Sequence, residues 1–383
     1  MEKIYFDNAA TTITAPEVID AMIPYYCIQF GNASSVHSFG NSVKVKLEDA
    51  RENIADFLGV KPKEIFFTSG GTESNNTAIK GLAFSEIGKK RKHIITSTIE
   101  HPSVLESIDF LKRNLGFEVD YISPGKNGEI SLDKISEKIS NATLLVSVMH
   151  SNNELGTIND IKKISEITSE KNIFLHSDTV QSIGKVKLNL KNLNANFASF
   201  SAHKFYGSKG IGILYIKEGT LIEKFSSGGS QERNIRGGTE NIPAIIGMNE
   251  AINLLRKNFD IDIEHYKNLR SHLLNKLKKI HENKIIFNSG LENGLPNIVN
   301  VSFKPESFSI DPETFFMNFD LKGVALSIGS ACSSGSLKPS KILLEIGRDE
   351  KTALCSLRIS FGRYNKIEEV DYLINVLYEI LNI

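Results

Sequence analysis

Cys332 stands in SIGSACSSGSLKPS, a run of small residues that neither a packed strand nor a helix core calls for. Gly329, Gly335 and the surrounding serines leave the thiol unshielded, whereas a structural cysteine sits among apolar neighbours. The run reads as an exposed loop that presents a nucleophile. A free thiol of ordinary pKa is only roughly 3% thiolate at pH 7, so a proton acceptor in the site is expected to activate it.

Two further residues could do chemistry together. Asp178 ends the apolar run IFLHSD, and Lys204 follows FASFSA in SAHKFYGSKG, a spacing that puts them on neighbouring strand ends. An acid under a heteroaromatic nitrogen and a lysine able to form a Schiff base are the groups that pyridoxal phosphate demands of a protein. A structural ion pair between strand ends accounts for the same two residues. In TSGGTESNN, Gly70, Gly71 and Thr72 outline a cradle in which a strand runs into a helix start and free amides could meet a phosphate. An ordinary turn capped by Thr72 or Ser69 is the alternative. Ser201 and His203 flank Lys204 and could complete such a site. His101, ahead of Pro102 in EHPSV, could lie over a flat ring and relay protons, or simply cap the helix that follows. The remaining histidines lack ligand spacing, HExxH and CxxC do not occur, and no metal is expected.

The elements that must position these groups can be read from apolar runs. EIFFT (64–68), HIITS (93–97), TLLVSVM (143–149), IFLHSD (173–178), FASFSA (197–202) and GILYI (212–216) alternate with helix-patterned segments, the pattern of a mainly parallel sheet covered by helices. Ligands gather beyond the carboxyl ends of such strands, so Thr68, Asn152, Asp178 and Ser201 are expected to converge on one crevice. From about 240 to 282 two helices are expected, divided by the turn-like FDID. Beyond them KIIFNS, NIVNVSF, VALSIG and LRISFG predict short strands of a smaller α+β domain, closed by a helix over IEEVDYLINVLYEIL with an apolar stripe. Cys27, in a helical segment, and Cys355, just before a strand, are expected to be packing residues.

Composition bounds the partners. The 383 residues suffice for two domains, and 40% of them are hydrophobic, as in an ordinary globular chain. Lys plus Arg and Asp plus Glu each total 45, which leaves no charge surplus for a polyanion, so no direct nucleic-acid partner is expected. No run approaches the roughly 20 apolar residues of a membrane span and MEKIYFDNAATT lacks a leader pattern, so a cytoplasmic protein with no membrane partner is expected. Three scattered cysteines suit neither a disulfide framework nor a zinc site.

Taken together, YFDNAATT, FGNASSVHSFG, TSGGTESNN, EHPSV, MHSNNELGT, HSDTVQSIGK, SAHKFYGSKG, GGSQERNIRGGTEN, LPNIVNVSF, GSACSSGSLKPS and LRISFGR, in that order, resemble the cysteine desulfurases of the NifS/IscS type within the class V aminotransferase family. The resemblance spans nearly the whole chain. Ala33, Ser151 and Ser208 depart from its usual pattern without touching a proposed catalytic group. It implies the pyridoxal-phosphate fold of type I, an α/β fold with a large domain built on a mainly parallel seven-stranded sheet (15–255) and a small α+β domain (1–14 and 256–383) carrying the cysteine loop. It implies pyridoxal 5'-phosphate held covalently by Lys204, with Asp178 facing the pyridine nitrogen and Gln181 the phenolic oxygen. By the same resemblance Gly71, Thr72, Ser201 and His203 bind the phosphate, joined by Thr239 from a second subunit, so a homodimer is implied. Asn153 and Arg358 hold the substrate carboxylate, His101 stacks on the ring and moves protons, and Cys332 takes sulfur from L-cysteine as a persulfide. The implied acceptor is an iron–sulfur scaffold protein or a tRNA-thiolating enzyme. A selenocysteine lyase or class V aminotransferase would use the same cofactor residues, though an aminotransferase has no need of Cys332. A catalytically silent interaction subunit would have no reason to keep Lys204, Asp178, His101 and Cys332 together.

Overall fold

Seven strands pair into one sheet in the order Ile65–Thr68, Gly212–Ile216, Phe197–Ser201, Phe174–Asp178, Thr143–Ser147, His93–Ser97, Glu118–Ile122. The computed structural model describes residues 3–280, 283–290, 294–308, 310–328 and 338–383. Gly212–Ile216 runs antiparallel to both of its neighbours and the other strands are parallel to one another, so six carboxyl ends, those of Ile65–Thr68 and Phe197–Ser201 included, face one way. Strand alternation sends Phe66, Phe197 and Leu214 to one face, against Ile79, Leu82, Ile108 and Leu111 of the helices Gly71–Phe84 and Pro102–Leu115. Ile65, Phe67, Phe200 and Ile213 go to the other, against Val43, Leu47 and Ile54 of Ser38–Leu58 and Ile245, Met248 and Ile252 of the long helix.

That long helix corrects an expectation. Ile242–Leu277 is one 36-residue helix and FDID lies inside it. No glycine or proline follows Gly247 within it, and Asp262, a residue that would otherwise favour a turn, is buried with its carboxylate bound by Arg363 at 2.7 Å. Its second half packs Tyr266, Leu269, Leu273 and Leu277 into a separate apolar cluster with Val299, Val301, Phe303, Leu357, Ile359 and the closing helix Ile367–Leu381. There Ile285–Phe287, Ile298–Phe303 and Ser356–Ser360 form an antiparallel sheet. Within the apolar stripe expected on the closing helix, Val370, Leu373, Ile374 and Leu377 are buried whereas Ile367 stays exposed.

The N-terminal segment crosses between the two clusters. Ile4–Tyr5 pairs in parallel with Val324–Ala325, Phe6 is fully buried among the second cluster, and Asn8 and Ala9 bond to Ser360. Residues 7–12 therefore emerge beside the carboxyl edge of the large sheet. Of the cysteines, Cys355 is buried, and burial pushes its thiol up to about 11. Cys27 is exposed on its short helix, against the expectation of a packing role; Tyr25 is the residue of that helix that packs on the core, while Tyr26, Cys27 and Ile28 are exposed.

Candidate active site

A cavity of about 600 Å³ opens at the carboxyl ends of the strands, and each residue on its wall arrives there for a local reason. Asp178 is the last residue of Phe174–Asp178 and Ser201 the last of Phe197–Ser201. Lys204 closes the single 3-10 turn Ala202–Lys204 that follows, and His101 caps Pro102–Leu115 by accepting the Ser103 amide at 3.1 Å. Arg358 reaches in from the smaller sheet. Gly71, Thr72, His101, Asn153, Asp178, Gln181, Ser201, His203, Lys204 and Arg358 all line this one cavity.

Convergence stops short of two strand-end residues. Thr68 bonds back to Ser74 at 2.8 Å, and Asn152 is fully buried, accepting the amides of Glu154 and Leu155; neither lines the cavity. Thr239 is exposed and borders a neighbouring cavity of about 210 Å³ that shares Ser69 and Gly210 with the first. Cys332 lies outside the described residues.

Electrostatics divide the wall by charge. Lys204 donates to the carbonyls of Ala9 and Ala10, both at 2.7 Å, and burial, aided by Arg358 and opposed by Asp178 and Asp7, lowers its pKa to about 8. Asp178 accepts Asn75 Nδ2 at 2.7 Å and the Val180 amide at 3.0 Å. Gln181 Nε2 donates to Ala9, and His203 contacts Thr11 Oγ1 at 3.1 Å. Desolvation, reinforced by Lys204 and Lys209, drops the His203 imidazole to about 4. His101 is open to the cavity but enclosed by protein on its other sides; desolvation, opposed by Asp178 and assisted by Lys204, holds its pKa below the usual imidazole value. Arg358 gives Nη1 to the Asn153 carbonyl at 3.0 Å and Nη2 to Asp7 at 2.7 Å. Its Nε and the Asn153 Oδ1 are buried with no hydrogen-bond partner among the described residues.

The alternative reading of this start, a turn capped by Thr72 or Ser69, does not hold for the Gly71–Phe84 helix. Gly70 is the N-cap with φ +153°, and Ser69 instead gives its amide to Glu73. A Cβ on Gly71 would come within 2.8 Å of Val180, so the helix start approaches the wall as closely as only glycine allows.

The model of the aminotransferase class-V family matches residues 4–373. The chain belongs to that family. Family members work with pyridoxal phosphate. Over 381 residues the chain is 44% identical to a cysteine desulfurase IscS of Clostridium botulinum, covering 99% of this chain and 94% of the relative. A solved NifS-like protein superposes with a TM-score of 0.91 at 37% identity, covering 99% of both chains. A structure described as SspA in complex with cysteine matches with a TM-score of 0.79 at 36% identity, over 95% of this chain and all of the other. The fold is accordingly that of the type I pyridoxal-phosphate enzymes.

The wall of this cavity fits such a cofactor. It offers a glycine-lined helix start with Ser201 and His203 beside it for an anion, one carboxylate for a cationic ring nitrogen, and one buried amine. Asn75, Ser103, Met149 and Asp7 belong to the same surroundings and were not singled out by sequence reasoning. Asn75 and Asp7 lie in the quoted motifs TSGGTESNN and YFDNAATT, which was the signal on offer.

Proposed function

We propose that this chain takes sulfur from L-cysteine, releases L-alanine and carries the sulfur as a persulfide on Cys332. The activity is that of a pyridoxal-phosphate-dependent cysteine desulfurase. The observation that carries the residue assignment is the meeting of Lys204, Asp178 and the Arg358–Asn153 pair in one cavity, though they come from four separate segments of the chain. Lys204 is the residue that holds the cofactor, with Asp178 at its ring nitrogen, Gln181 at its phenolic oxygen, and Gly71, Thr72, Ser201 and His203 at its phosphate. When bound, the cofactor supplies a ring that stabilises negative charge at the amino acid's α-carbon. Arg358 and Asn153 grip the substrate carboxylate; the Arg358 Nε, a donor with no partner among the described residues, still has a hydrogen bond to make, which supports this role. Lys204 Nζ takes the α-proton, and its lowered pKa supports a role as base near neutral pH. As the Cys332 sulfur bonds to the substrate sulfur, the substrate's carbon–sulfur bond breaks; the carbon keeps the electron pair and is protonated to give alanine.

Residues 15–255 form the large domain of this proposal, and 1–14 with 256–383 the small one; the separate apolar clusters served by the two halves of the long helix support that division. The working unit is a homodimer in which Thr239 reaches the partner's phosphate site. The exposure of Thr239 outside its own cavity supports this, as does an apolar surface on which Tyr26, Ile28, Phe30, Val36 and Phe39 are all more than half exposed. No helix among the described residues is long and apolar enough to cross a membrane. Cytoplasmic residence fits an enzyme whose cysteine must stay reduced. The acceptor is an iron–sulfur scaffold protein or a tRNA-thiolating enzyme. The test is alanine and protein-bound persulfide formed from L-cysteine by the cofactor-loaded protein, with Cys332→Ala beside it. Equal amounts of both products, lost in the variant, are expected. A Cys332→Ala protein that still forms its persulfide would refute the nucleophile assignment.

A further inference from the structure

Two side chains, Asn75 and Ser103, tie the two ring-facing residues of the cavity together. Asp178 Oδ2 lies 2.7 Å from Asn75 Nδ2, the same nitrogen lies 2.9 Å from Ser103 Oγ, and Ser103 Oγ lies 2.7 Å from His101 Nδ1. On its other side Asn75 Oδ1 lies 3.1 Å from His176 Nε2, and His176 Nδ1 lies 2.8 Å from Ser147 Oγ. Asn75 is 1% exposed, His176 is fully buried, and burial lowers the His176 imidazole to about 4. This ring is therefore neutral.

The proton on each link follows from what each atom can do. A carboxylate oxygen only accepts, so the atom of Asn75 facing Asp178 is the amide nitrogen, and its second hydrogen goes to Ser103 Oγ. His176 must then carry its proton on Nε2 to give it to Asn75 Oδ1. Ser103 Oγ receives its hydrogen from Asn75, so its own hydroxyl hydrogen is free to go to His101 Nδ1. The Ser103 backbone amide, which can only donate, points at that same Nδ1 from 3.1 Å. His101 Nδ1 thus accepts twice, and the neutral ring must hold its hydrogen on Nε2. Taking a proton at Nδ1 would set it against a backbone N–H that cannot turn away.

We propose that Asn75 is a positioning residue which, through Ser103, locks His101 as a neutral imidazole with its hydrogen on Nε2. His101 then serves the reaction as a fixed hydrogen-bond donor and ring surface, and proton movement at the substrate's α-carbon falls to Lys204. The low pKa that burial imposes on His101 agrees with a ring that stays neutral. This proposal rests on the desulfurase reading and narrows it, since the sequence alone left His101 as a mover of protons.

The test reads the tautomer directly. Nitrogen-15 spectra of the cofactor-carrying full chain, labelled at histidine and with His101 assigned from its loss in His101→Gln, are expected to show Nε2 protonated and Nδ1 bare across the neutral range. In Ser103→Ala and Asn75→Ala the two nitrogen signals of His101 are expected to move towards each other, and Ser103→Thr, which keeps the hydroxyl, to restore them. A hydrogen on Nδ1 in the wild type, or an unchanged pattern in both alanine variants, overturns the proposal; if Asn75→Ala does not fold, Ser103→Ala decides. Exchange of the α-hydrogen of L-alanine in D2O tests the second half. His101→Gln, which loses the ring surface and the Nε2 donor, is expected to slow exchange measurably but by less than the 10²–10⁴ typical of a missing general base, and a loss of that size overturns it. Alanine release from L-cysteine is scored separately, so failure of the desulfurase reading is told apart from failure of this one.

Discussion

Two buried lysines, Lys185 and Lys204, stand nineteen positions apart in the sequence, and burial lowers both to about 8, yet their surroundings have little in common. Lys204 has two carbonyl acceptors and faces a cavity shared with Asp178 and Arg358. Lys185 makes no hydrogen bond among the described residues; its ammonium lies over the rings of Tyr206 at 5.7 Å and Tyr266 at 5.4 Å, where the two domains of the proposed division meet. Those tyrosines bond to each other at 2.9 Å, and Arg363, paired with Asp262, stacks on Tyr206. The two lysines show that a displaced pKa does not by itself mark a reactive amine, and that access and convergent partners separate a chemical amine from a packed one.

The largest effect expected from this contrast is on turnover. Lys204→Ala should lose covalently retained cofactor and drop alanine formation by about 10⁴-fold or more, while Lys185→Met stays within a few fold of wild type. Cofactor retained through denaturing gel filtration after hydride reduction of its bond to the protein, together with alanine release, checks both. A Lys185→Met protein as inactive as Lys204→Ala would erase the distinction.

Stability should respond the other way. Below pH 8 Lys185 is protonated in both the folded and unfolded chain, and the folded state bears the full cost of a buried cation. Between 8 and 10.5 the unfolded chain still binds the proton and the folded one has released it, so wild-type stability rises with pH through that window. The displacement from 10.5 to about 8 corresponds to about 3 kcal/mol. Lys185→Met should therefore be more stable than wild type at pH 7 by up to this amount, with the gap closing between pH 8 and 10.5. Urea midpoints measured across that range decide it; a constant gap would mean that the ammonium is not the source.

How far the sequence carried the reading depended on distance along the chain. Strands flanked by polar ends were legible because burial on both faces writes a continuous apolar run, and with them came Asp178, Ser201 and Lys204, which sit at those ends. The edge strand Glu118–Ile122 was passed over because it is half exposed and alternates charge with apolar residues. FDID looked like a turn because the residue that makes it helical, Arg363, is about a hundred positions away. The same holds for the site. Asn75 meets Asp178 across 103 positions and Arg358 meets Asp7 across 351, so neither partnership could be inferred from spacing. Thr68 and Asn152 misled because strand ends supply position only, and whether a side chain turns out to the cavity or back to its own backbone is settled by local hydrogen bonds.

Tyr206 makes the finest test of the contrast, because it belongs to both regions. It follows Lys204 by two residues with φ +68°, its carbonyl accepts the Ala15 amide and its own amide donates to Thr12 Oγ1, so its backbone helps seat the Lys204 turn against the N-terminal segment. Its hydroxyl belongs to the sealed cluster, where it accepts the Arg363 amide at 2.6 Å and burial lifts its pKa to about 12. Tyr206→Phe removes only the hydroxyl. The Arg363 amide and the Tyr266 hydroxyl would each lose a partner, for a loss of about 2 kcal/mol in unfolding free energy. Since the backbone is untouched, turnover should stay within about twofold of wild type. A loss of turnover larger than the loss of stability accounts for would mean that the cluster around Lys185 also steers Lys204, and the two lysines would then have to be treated as parts of one site.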